Sequence, residues 1–252
     1  MPRAARSAPP PAPPDDFSGF PPDALRFLRA LARHNARDWF EEHRGRYDTA
    51  VLAPMRALVE EMDARLAGFA PEITGSPKRS IFRIHRDIRF SNDKTPYKTH
   101  AAALFYHRDV GGAGAAGRTM QAAGFYFQIQ PGNSFIGGGI WMPPTPTLKA
   151  LRAAIVDDPD ALRAVLGGAP FRREFGELDR EGMLVRTPRG VAADAPGADL
   201  LRFRSFTAWQ PIDDGALASA ALPDQVERAM RALLPLIRWA NGALGLKAAE
   251  RR

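Results

Sequence analysis

The sequence predicts an α+β fold: an antiparallel β-meander packed against helices from both ends of the chain. Three observations predict it. Apolar residues recur at helical spacing near the N-terminus, in Leu25, Leu28, Leu31 and Ala32, and again near the C-terminus, in Val226, Met230, Leu233, Leu234 and Ile237. Between these regions the apolar period falls from about 3.6 residues to about 2. The period-2 stretches are joined by short connections, which favour antiparallel neighbours.

The elements follow in order. A helix opens at F-S-G-F-P-P-D. Asn35 then reads as an N-cap, with Asp38 three residues on completing a capping-box-like pattern. Trp39, His43 and Tyr47 line one face of the second helix. Val51, Met55, Leu58, Met62 and Leu66 mark a third, which Pro54 either starts or kinks. Residues 20–68 are therefore a helical hairpin or a three-helix unit. Phe82, Ile84, Ile88 and Phe90 alternate with Arg83, His85, Asp87 and Arg89, which predicts a half-buried strand interrupted by Arg86. S-N-D-K-T-P-Y is turn chemistry. A strand over Ala101–His107 comes next, then the glycine-rich loop D-V-G-G-A-G-A-A-G, then a strand near Gln121–Gln130. P-G-N-S turns the chain into the strand S-F-I-G-G-G-I-W-M. Thr145, with Pro146 at the first helical position, caps a helix to about Val156. Asp158 and Pro159 repeat that arrangement before a shorter helix to Leu166. L-L-R-F-R-S-F-T-A, residues 200–208, reads as the last strand. A helix from about Asp224, interrupted by Pro235, closes the chain. There is no internal repeat. Residues 1–16 read as a solvated Pro/Ala-rich tail, 17–244 as one domain and 245–252 as a frayed end.

Composition bounds the chemistry. At 252 residues a chain buries roughly three quarters of its unfolded surface, enough for a core without staples. The absence of cysteine removes disulfides, thiolate metal sites and cysteine nucleophiles, and fits a reducing cytoplasm. The N-terminus lacks the apolar stretch of a secretory signal, and no apolar run reaches the ~20 residues of a membrane helix. A cytoplasmic protein without membrane attachment is the expectation.

The net charge is +7, carried mostly by arginine. Arginine-heavy usage says little by itself, but its distribution says more. From Lys78 to His100 there are seven basic residues, namely Lys78, Arg79, Arg83, Arg86, Arg89, Lys94 and Lys98. Asp87 and Asp93 oppose them, so seven minus two leaves +5 of the +7 in this short segment. Arg83, Arg86, Arg89, Tyr97 and Lys98 are read as ligand-binding residues, because charge-assisted hydrogen bonds to phosphate or carboxylate are about twice as strong as neutral ones. Gly138, in the run Gly137–Gly139, and Trp141 join them: glycine in a strand admits close approach, and indole stacks on flat groups. His85 or His100 is a candidate general base, Asp87 or Asp93 would orient it, and Lys94 would stabilise developing negative charge. No second acidic cluster accompanies them, so neither metal nor cofactor is expected. Plainer readings stand beside these. Arg83, Asp87, Arg89 and Asp93 fit a salt-bridge ladder, His85 and His100 fit satisfied sheet histidines, and the glycines fit a helix crossing the sheet. Trp39, Phe40 and Tyr47 fit the core.

These residues also carry a resemblance. Gly19-Phe20-Pro21, Asn35–Phe40, the block Arg86–His100 (R-D-I-R-F-S-N-D-K-T-P-Y-K-T-H), Tyr126–Gly132 running on to Gly137–Pro143, and Arg204–Thr207 recur as a set. In them the chain resembles a widespread family of bacterial, and some fungal, conserved hypothetical proteins, a domain of unknown function. The resemblance covers about residues 17–240 and implies no activity. The stretch 111–117 and Trp209-Gln210 depart from the family pattern. Three functions follow from the residues: a module binding an anionic small molecule or a nucleic-acid backbone, a hydrolase or phosphoryl-handling enzyme using the same segment, and a structural or interaction protein. Binding is placed first. Oligomeric state is not legible.

Overall fold

The computed structural model describes residues 17–89, 92–110 and 122–248. Readings made for residues 1–16, for the glycine-rich stretch 111–117, for Phe90 and Gln121, and for residues 249–252 lie outside the described residues.

The fold is α+β. Helix α1 (Pro22–Arg33) starts on a proline whose missing N–H is one the first turn leaves unbonded anyway, and buries Leu25, Phe27, Leu28 and Leu31. Helix α2 (Arg37–Tyr47) runs through one widened turn at Asp48–Leu52 into α3 (Ala53–Phe69). Pro54 starts α3 rather than kinking it. The Ala53 N–H bonds Asp48 O, so the wide turn takes up the change of pitch ahead of the proline ring. Met55, Leu58, Met62 and Leu66 are all buried.

The sheet has the order β1-β2-β3-β4-β5 with every pair antiparallel. Its strands are β1 (Ile73–Thr74), β2 (Ala101–His107), β3 (Gly124–Ile129), β4 (Ser134–Ile140) and β5 (Phe206–Ile212), and a short helix α4 (Pro77–Ser80) follows β1. Gly132 makes the β3–β4 turn at a φ of +70°, a region open to glycine. Period-2 alternation gives each strand two faces. Phe125, Phe127, Ile136, Phe206 and Ala208 point into the core, where α8 (Leu222–Ala243) crosses β4. Tyr126, Phe135, Gly137 and Trp209 point the other way, in the cross-strand register Tyr126–Gly137–Trp209. Helices α5 (Thr145–Asp157), α6 (Pro159–Gly167) and α7 (Ala169–Glu174) link β4 to the last strand. The Asp158 carboxylate accepts from the Ala161 N–H and caps α6 as expected.

Several expectations need correction. Residues 82–89 are not a strand: His85 alone among them forms a β-bridge, and β1 takes the edge position beside β2. Aspartates that bond the backbone two residues on bend this chain, and Pro96 has no N–H to offer a ladder. The last strand begins at Phe206, not Leu200. Leu200 and Leu201 are both buried, which a single turn of tight helix permits and strand alternation does not. Pro211 is tolerated because β5 ends the sheet order. Thr145 does not cap α5; Pro144 holds that position and no side chain bonds there. No helix among the described residues is long and apolar enough to cross a membrane.

Candidate functional site

After α4, Ile81 bridges Ala103 and the Phe82 N–H bonds Ala102 O at 3.0 Å. The chain then leaves the sheet and folds on itself. The Arg86 N–H donates to Pro96 O and the Lys98 N–H to Ile84 O, both at 2.8 Å, around the facing pair His85 and Tyr97. In such a pair the backbone groups of Tyr97 point outward, and Asn35 meets both: its Nδ2 donates to Tyr97 O at 2.9 Å, and its Oδ1 accepts from the Tyr97 N–H at 3.0 Å. Asn35 is therefore not the cap of α2. Ala36 holds that place without a side-chain bond. The asparagine stands in for a neighbouring strand.

Between the paired segments the polar side chains shape a loop. Asp93 Oδ1 accepts from the N–H and Oγ1 of Thr95, at 2.9 and 2.8 Å, and Oδ2 meets Arg86 Nη1. That nitrogen also donates to Thr95 Oγ1 at 2.7 Å. Asp87 receives Arg89 in two bonds of 3.0 and 2.7 Å. The Thr95 backbone and hydroxyl, then Arg86, hold the Asp93 carboxyl at about 2; Arg89 holds Asp87 at about 2. Of the four residues read as a cross-strand ladder, Asp87 and Arg89 pair with each other along one segment, and Asp93 pairs with Arg86 instead. Neither carboxylate bonds a histidine.

The other cations have different partners. Lys94 Nζ donates to Ile88 O at 2.9 Å, and Lys98 Nζ to Arg83 O at 3.0 Å. No carboxylate pairs with Arg83, Lys94 or Lys98 among the described residues. Burial, then the neighbouring Arg83 charge, lowers the pKa of Lys98. His100 is partly buried, and desolvation followed by Lys98 and Arg86 pushes it down to about 4, so the imidazole is neutral at physiological pH. An open groove of about 530 Å³ is lined by Arg83, His85, Arg86, Asp87, Ile88 and Arg89. It contains His85 and Asp87, whereas Lys94, Tyr97 and His100 lie off its walls. Tyr97 is 2% exposed and stacks on Phe40 at 4.2 Å between ring centres, so its ring belongs to the core. Among the described residues no group of three or more His, Asp and Glu is placed to hold a metal ion.

Gly138 and Trp141 are not beside this loop in the way the sequence suggested. Gly138 lies under α8, where an added methyl would sit 2.8 Å from Gly124 O and 3.3 Å from Leu233, so the plainer reading of a helix crossing the sheet accounts for it. Trp141 follows the end of β4 and is 59% exposed. Sequence reasoning missed Asn35 as the anchor, Thr95 as the hub of the Arg86–Asp93 pair, and Phe82, whose ring lies 5.2 Å from Lys98 Nζ. Only the density of hydrogen-bonding side chains in S-N-D-K-T-P-Y hinted at such cross-bonding.

A family model described as a conserved hypothetical protein (DUF2461) matches residues 23–239. No curated protein and no solved structure matches the chain.

Proposed function

The chain belongs to this family of conserved hypothetical proteins, and from that premise we propose that it binds an anionic, phosphate- or carboxylate-bearing ligand along the paired segments 83–89 and 92–100. The family description names no activity, so the reading rests on the residues. One observation carries it. Arg86 and Arg89 each pair with an aspartate, while no carboxylate ion-pairs with Arg83, Lys94 or Lys98 among the described residues, and Arg83 acts on Asp87 only through space. Like charges brought together without counter-charges raise the local potential and attract an anion. The half-buried Lys98 adds to this, since screening by water is weakest there. Neutral His100, with no hydrogen-bond partner among the described residues, offers a ring nitrogen to the same ligand.

An enzymatic reading has less support. A general-base histidine needs an orienting partner, and both candidate aspartates are committed to arginine and backbone. Calorimetric titration with pyrophosphate tests the binding reading. Affinity is expected at low salt, falling steeply at physiological salt, with Lys94→Ala/Lys98→Ala at least about 10-fold weaker when titrated well below its own melting temperature. No heat at low salt, or equal affinity in the double variant, overturns it.

A further inference from the structure

We propose that the outer face of the sheet is a base-stacking platform for single-stranded nucleic acid, whose phosphates are taken by the hairpin cations; this second half rests on the function proposed above.

Four aromatic rings cross that face in one line. Phe82 lies 6.0 Å from Tyr126, Tyr126 5.5 Å from Phe135, and Phe135 5.9 Å from Trp209, between ring centres. The row runs from the segment pinned to β2, across β3 and β4, to β5. None of the four belongs to the core cluster or packs against it. Their strand neighbours Phe125, Phe127 and Ile136 do, so the core is complete without the row. Trp209 is 51% exposed, whereas Phe82, Tyr126 and Phe135 are only partly exposed, and burial raises the Tyr126 phenol. Gly137, the cross-strand partner of both Tyr126 and Trp209, is itself buried and lets Trp209 pack close against β4; a methyl there would meet Trp209 Cβ at 2.8 Å.

Lone apolar side chains at a surface need no explanation, but a continuous aromatic row does. Stacking on successive aromatic rings beside a positively charged strip is how sequence-tolerant single-strand binders work, because every base presents a π-face. The charged strip is joined to the row: Lys98 Nζ sits 5.2 Å from the Phe82 ring and bonds Arg83 O. A ligand with phosphates at the Lys98–Arg83 end and flat groups along the row satisfies both features. A free phosphate satisfies only one.

Fluorescence anisotropy with labelled oligothymidine and a labelled abasic strand of equal length tests this. Oligothymidine is expected to bind about 10-fold or more tighter than the abasic strand. Trp209→Ala should weaken oligothymidine about 5- to 100-fold and leave the abasic strand unchanged. Phe135→Ala should repeat the effect, and Trp209→Ala, at an exposed site, should melt like the parent. Equal binding of the two strands overturns the platform and leaves the hairpin reading standing. Absence of binding by both strands and by pyrophosphate removes both readings. Trp209-dependent self-association in sedimentation, without oligonucleotide binding, gives the face to a second copy of the chain and overturns the platform.

Discussion

The helix-backed face of the sheet and the hairpin along its edge are built on opposite terms. On the sheet, Phe125, Phe127, Ile136 and Phe206 are wholly buried, and backbone ladders run unbroken from β2 to β5. In the hairpin, two backbone bonds hold the base, and side chains hold the rest: Asn35 on Tyr97, Asp93 on Thr95, Lys94 on Ile88 and Lys98 on Arg83. Apolar packing is indifferent to pH and mild salt, whereas a segment held by charged side chains is not. The difference teaches that this molecule keeps its stability and its responsiveness in separate places.

Mutations can break that division. The largest effect is expected on the packed face: Phe127→Ala should cost about 3–5 kcal/mol in urea unfolding, because it removes a fully buried ring and leaves a cavity. A loss under 1 kcal/mol would mean the sheet does not carry the stability assigned to it. Next comes the hairpin anchor. Asn35→Ala leaves the buried N–H and carbonyl of Tyr97 unpartnered, at a cost of about 2–3 kcal/mol, and should weaken pyrophosphate binding together with stability.

The smallest effect concerns pH and sharpens the comparison. His100 titrates near 4 in the folded chain and near its ordinary 6.5 when unfolded. Between those values the unfolded state binds more protons, so stability is complete above about 6.5 and declines as pH falls toward 4. Partial exposure reduces the effect to on the order of 1–2 kcal/mol. Asp87 and Asp93 have lowered values, so their contribution is present above their unfolded pKa and is lost only as pH falls from about 3.8 toward 2. Urea unfolding at pH 7 and pH 5 should show the first decline in the parent and not in His100→Gln. An identical decline in that variant would place the titrating group elsewhere.

Much of the fold was legible because it is periodic. The helical spacing of Met55, Leu58, Met62 and Leu66, and of Val226, Met230, Leu233 and Ile237, recurs over several turns and survives any tertiary context. Elements of a few residues, β1 at Ile73–Thr74 and α4 at Pro77–Ser80, carry no period long enough to read. The alternation in residues 82–90 was misleading for a different reason: Arg and Asp side chains at every second position mimic a polar strand face, yet here they bond their own loop. At the candidate site the charge excess was visible, but which arginine an aspartate neutralises was not.

The sequence by itself determined the α+β class, the antiparallel meander of β2, β3 and β4, the apolar faces of the long helices and the concentration of positive charge before His100. These follow from residue spacing and composition, which act locally. Only the tertiary structure decided that Asn35 reaches across 62 positions to Tyr97, that Gly138 lies beneath α8, and that Phe82, Tyr126, Phe135 and Trp209 fall into line. Those are choices among hydrogen-bonding and packing partners far apart in the chain. Many such partners are chemically equivalent, and only the closed fold brings one of them within reach.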